Sequence, residues 1–155
     1  MTGRTLPRAL AALTALVAVI AAGTVAFGGK RDWVGSAACG SCHAPQLAAW
    51  KLTPHATTAK RFSGRADAKC LACHGTGEAP AGPAIAIEVG CESCHGAGAA
   101  YAEDDLMRSP AVARALGLVD VSTPKARAAV CAQCHVRPLR GKVFDPAAPV
   151  HPVKP

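Results

Sequence analysis

One five-residue phrase, Cys-x-x-Cys-His, occurs four times in this chain: at 39–43, 70–74, 91–95 and 131–135. No other pattern constrains the fold as strongly, because these residues form covalent and metal bonds rather than merely pack. Two thiols at this spacing add across the two vinyl groups of a porphyrin, and the adjacent histidine reaches the iron from one face. The four phrases use all eight cysteines of the chain. Zinc ribbons and disulfides also pair cysteines, but neither needs His directly after every second Cys. The reading is therefore four covalently attached haem c groups. They are held through Cys39, Cys42, Cys70, Cys73, Cys91, Cys94, Cys131 and Cys134, with His43, His74, His95 and His135 as proximal iron ligands.

Such a chain needs little core of its own. Its 155 residues allow one domain, yet only 4% are aromatic, while Gly (15) and Pro (12) are plentiful. About 125 residues beyond the leader, poor in Leu, Ile and Phe, are thin material for a self-sufficient interior. Four porphyrins would supply the missing apolar surface. The expected fold class is mainly α with extensive irregular coil, a small multihaem cytochrome c fold packed around four covalently bound haems. The formal net charge of +7 includes Arg4 and Arg8 of the leader. No Lys/Arg run with interleaved aromatics is present, which argues against nucleic acid as a partner. The basic residues compensate haem propionates on this reading.

Residues 1–27 carry Arg4 and Arg8 ahead of an uncharged apolar run, Ala9 to Phe27. That is the pattern of an export signal. At about 19 residues the run is also long enough to act as an uncleaved membrane anchor. Either way, residues 28–155 are expected as a tetrahaem domain outside the cytoplasm, in the periplasm or anchored to the outer face of the inner membrane. Within it, Ser36 is placed to cap a helix carrying the first phrase. A helix over Pro45–Leu52 sets Leu47 and Trp50 on one side, ending at Thr53-Pro54-His55. Ile85, Ile87 and Val89 alternate as in a short strand. Gly96-Ala97-Gly98 suits close approach of backbone to porphyrin. Ser109-Pro110 and Thr123-Pro124 start helices, the first stopping at Gly117.

Four irons need four distal ligands, and only His55 and His151 lie outside the phrases. Imidazole is a common axial ligand, so both are candidate metal ligands. Trp50 is read as a haem cover. Two spare histidines and one spare methionine, Met107, cannot fill four places. At least one iron should then lack a side-chain ligand from this chain.

These features resemble the tetrahaem cytochrome c-554 family of electron carriers, best known as acceptors for hydroxylamine oxidoreductase. The resemblance runs from Val34 to His151. It rests on the four phrases, on Trp50 through His55-Ala56, and above all on Val89-Gly90-Cys91-Glu92-Ser93-Cys94-His95-Gly96-Ala97-Gly98. It implies His55 as distal ligand of the third haem, His151 as that of the fourth, and an open distal face on the second. The first haem of the family takes a histidine from just after the third phrase. This chain has none between Gly98 and Ser109, and Met107 stands nearby as a thioether candidate or as a packing residue.

The expected function is an exported electron-transfer protein working between periplasmic or membrane redox proteins, with no catalytic residues of its own. The alternative is a haem enzyme acting on a small nitrogen species, such as nitric oxide or hydroxylamine, at a five-coordinate second haem. For that, the carboxylates nearest His74 in sequence are Asp67 and Glu78. A third reading is a gas sensor or a subunit of a membrane redox complex.

Overall fold

The computed structural model describes residues 32–62, 66–79, 81–136 and 145. The chain divides into two units, Met1–Lys30 and Arg31–Pro155, and every described residue lies in the second. The expected leader and His151 fall outside the described residues. Among those described, no helix is long and apolar enough to cross a membrane.

The architecture is short helices joined by coil, as expected. In order they are α1 (Ser36–Gly40), α2 (Ala44–Lys51), a 3-10 turn (Thr58–Arg61) and α3 (Ala68–His74). Two strands follow, β1 (Thr76–Gly77) and β2 (Ala84–Ala86). Then come α4 (Cys91–His95), α5 (Asp104–Met107), α6 (Pro110–Ala115) and α7 (Pro124–Cys131). The longest of these helices have eight residues. Helices that short do not hold in water by themselves, so tertiary contacts must support them.

Local chemistry explains most of the starts and stops. Proline occupies the first turn of α2, α6 and α7, where its missing N–H costs nothing. Thr123 caps α7 by accepting from the Ala126 N–H at 3.1 Å, and Asp67 caps α3 by accepting from Lys69 N–H at 2.7 Å. Helix α6 ends as expected at Gly117, whose φ is +113°. There the Leu118 N–H reaches back to the Ala113 carbonyl and the Gly117 N–H to Arg114, the paired bonds of a left-handed C-terminal cap. Two expected caps differ. Ser109 makes no side-chain capping bond. Ser36 is the first residue inside α1 rather than its cap, and its hydroxyl goes to Glu88 and Cys91.

The strand also proves shorter than the alternation suggested. Only Ala84–Ala86 pairs, antiparallel to Thr76–Gly77, while Ile85 and Ile87 lie exposed. Gly77, at φ +133°, lies so close to Ala84 that a Cβ would stand 2.7 Å from its Cα.

The interior of the polypeptide is largely polar. Trp50, Tyr101 and Ala113 are its buried apolar residues among those described, against buried Ser36, Thr58, Thr76 and Glu92. Hydrogen bonds, not side-chain oil, tie these segments together. These four buried polar side chains are accordingly paired: Thr76 Oγ1, for one, donates to the Glu88 carbonyl at 2.7 Å and accepts from Gly90 N–H at 2.8 Å.

Candidate metal centre

Each phrase is a single helical turn. The second lies wholly within α3 and the third is α4 itself. The first begins in α1 and ends at His43, which precedes α2, and the fourth begins on the last residue of α7. In the first and fourth, the His43 and His135 N–H groups bond the carbonyls of Cys39 and Cys131 at 3.0 and 2.9 Å. A turn of this kind gathers both thiols and the imidazole toward one side.

The four phrases meet out of sequence order. The first phrase lies beside the third, where the Cys91 N–H donates to Ser36 Oγ of α1 at 3.3 Å and the Cys91 thiol neighbours that of Cys39. The fourth lies beside the second, with the Cys134 thiol 3.9 Å from the Ala72 carbonyl and near Cys73. Cys94 lies within electrostatic range of Cys131, which links the third to the fourth. All eight thiols are free of disulfides. The neighbouring Cys91 thiol, then burial, raises Cys39 far above the usual thiol range. Burial pushes Cys94 up to about 11, and burial followed by the nearby Cys73 thiol pushes Cys134 up to about 12.

The histidines are individually seated. His95 Nδ1 lies 3.2 Å from the Val119 carbonyl, while Val119 N–H donates to the His95 carbonyl at 2.9 Å. A backbone carbonyl can only accept, so the proton resides on Nδ1 and the lone pair on Nε2. This is how proteins orient a metal-binding imidazole. Tyr101 closes the same corner, with its hydroxyl 3.0 Å from the His95 carbonyl and 2.8 Å from that of Gly96. The His74 ring meets Phe62 edge to face, with centroids 5.6 Å apart.

His55 stands beside the fourth phrase. Its ring lies against His135, centroids 6.0 Å apart and planes inclined at 74°. Burial, then the neighbouring His135, lowers its pKa and keeps the ring neutral, the form that binds metals. The backbone explains the placement. Its carbonyl accepts from Val89 N–H at 3.0 Å and from Thr58 Oγ1 at 2.9 Å. Trp50 Nε1 donates to the Val89 carbonyl at 2.9 Å. Trp50 and His55 are thus two clamps on one extended segment, residues 87–89, just ahead of the third phrase.

Glu92, in a variable position of that phrase, knits the surroundings. Its side chain accepts three backbone N–H groups: Val34 at 2.9 Å, Gly35 at 2.8 Å and Gly98 at 2.7 Å. Gly96 and Gly98 let other parts of the chain come close. A Cβ on Gly96 would stand 2.8 Å from the Gly117 carbonyl, and one on Gly98 would stand 3.1 Å from Glu92 Oε1.

The donor set suits haem c: free thiol pairs at vinyl spacing, each followed by imidazole, with the His95 tautomer set for a bond through Nε2. Met107 ends α5 half-buried, and its sulfur makes no hydrogen bond among the described residues. Asp67 is occupied as a helix cap, and exposed Glu78 has its side chain over Gly82. Sequence reasoning missed Glu92, Tyr101, Val119 and Phe62 as site residues. A signal existed for two of them: a carboxylate inside a haem phrase, and the only tyrosine of the chain.

Comparison with known proteins adds one finding. Residues 38–96 match the family model described as cytochrome c554 and c-prime. The match takes in the first three phrases and leaves the fourth outside it. No curated protein and no solved structure matches the chain.

Proposed function

We propose, from the place of residues 38–96 in the cytochrome c554 and c-prime family, that the chain is an exported tetrahaem electron carrier. The observation that carries this is the packing of the phrases against one another, first on third, third on second and second on fourth. Haem c, when bound, supplies a one-electron iron couple, and the protein sets its potential through ligation, burial and charge. The fourth phrase is included because it repeats the turn of the first and lies against the second.

The residues of the chain have distinct parts in this reading. The third phrase touches both the first, through Cys91 N–H and Ser36, and the second, through Ser93 and Gly75, while Cys134 of the fourth lies on Ala72 of the second, so haems held there would be neighbours out of sequence order. His95 is oriented by Val119 and Tyr101. His55 serves the fourth phrase, opposite His135, and not the third. Exposed Ile85, Ile87, Val112 and Leu116 offer apolar surface that a porphyrin would cover. The leader of residues 1–27 and His151 enter as proposals from sequence, with the periplasm as location.

Intact mass of the mature protein tests the number of groups and the processing of the leader together. The expected mass includes four haems, and a potentiometric titration should show four one-electron steps. A protein with three haems and an unmodified Cys131–Cys134 pair would remove the fourth phrase from the relay.

A further inference from the structure

We propose that Lys51, Leu52, Lys60 and Arg61 form the docking face for a redox protein with an acidic surface. The proposal rests on the carrier reading and names the surface through which it works. Between Asp32 and Asp67 the chain contains no carboxylate side chain. Within that stretch, the end of α2, the following turn and the 3-10 turn make one continuous projection. Its inner side is fixed: Trp50 and Thr58 are buried, and Trp50, His55 and Thr58 all bond to or from residues 87–89. Its outer side therefore faces water.

On that outer side Leu52 is 89% exposed, the most exposed large apolar residue among those described. Lys51, Lys60 and Arg61 are exposed with it. None of the three has an ion pair among the described residues, whereas Arg108 and Arg114 are paired with Asp104 and Asp120. Glu88, the carboxylate on the segment packed behind, is engaged by Ser36 Oγ at 2.9 Å. An exposed apolar side chain in a stretch whose exposed charges are all cationic fits an acidic partner, attracted at long range and then met dry. The same segment carries His55 next to the fourth phrase and leads into Phe62, which touches His74 of the second. A partner seated here stands at the fourth and second phrases.

The probe is a reduced, acidic flavodoxin mixed with the ferric holoprotein in stopped flow. One electron leaves the flavin hydroquinone, which becomes the semiquinone, and one iron goes from ferric to ferrous. The second-order rate constant should fall about tenfold between low and high salt. In K51E/K60E it should start about tenfold lower and lose most of that salt dependence. L52A should slow the reaction at both salt concentrations. Reduction of K51E/K60E by hexaammineruthenium(II), a small cation, should be no slower than in the parent, and haem content and potentials should not change. Parent-like rates with flavodoxin in a fully loaded variant would overturn the docking face and leave the carrier reading intact. Shifted potentials, or equal slowing with both reductants, would also overturn it and assign these cations to haem propionates. A chain that took up no haem would overturn both.

Discussion

Glu92 is 2% exposed, and what keeps so buried a carboxylate in place is the three N–H groups aimed at it. Its isosteric amide has one oxygen fewer to offer and turns an N–H group toward backbone donors. A buried donor left without an acceptor costs about 1–3 kcal/mol. Glu92→Gln should therefore destabilise the holoprotein by about 2 kcal/mol, measured by denaturant unfolding, while the low-spin haem spectrum persists. An equally stable variant would show that these bonds do not hold residues 34–35 to the third phrase. A carboxylate inside a haem phrase signals that Glu92 has a role, but side-chain types could not name its partners, because all three donors are main-chain groups. The phrases themselves were legible for the opposite reason: thioether chemistry needs particular side chains at a fixed local spacing.

At the scale of elements, the corner after α4 is where chain meets chain most closely. Gly96 has φ +82°, and a Cβ there would stand 2.8 Å from the Gly117 carbonyl. Gly35 has nearly the same φ, +83°, with nothing within 4 Å of its would-be Cβ. Substituting Ala at both positions separates conformation from contact. Gly35→Ala should cost about 1 kcal/mol, the strain of a left-handed residue. Gly96→Ala should cost about 1–3 kcal/mol more, because an overpacked Cβ must displace Gly117 and with it the Val119 carbonyl under His95. Thermal melts of the two variants give the comparison, and equal losses would mean the corner is slack. Helices with Pro at their start were readable from sequence because the ring sets φ locally. The strand and the Ser36 cap were not. Alternation marks which residues share a face, not whether a pairing partner extends far enough, and Ser36 is taken by groups far along the chain, at 88 and 91.

For the whole molecule, the four phrases were legible one by one, but their mutual arrangement was not. Family resemblance implies His55 as ligand of the third haem, while its ring stands against His135 of the fourth phrase. The difference arises because residues 87–89 are gripped by both Trp50 and His55, which fixes where the ring stands. His55→Ala should convert one low-spin ferric haem to high spin in the EPR spectrum. Adding Cys131→Ala and Cys134→Ala should abolish that new signal, since the affected iron would be gone. A high-spin signal that survived in the triple variant would put His55 on another phrase. The alternation of partners, first with third and second with fourth, also bears on how such a chain can be divided. Cutting it anywhere between the second and third phrases leaves each half with one member of both couples and neither couple whole. A two-pigment fragment of this protein is thus not a smaller version of it, and its design is indivisible along the sequence.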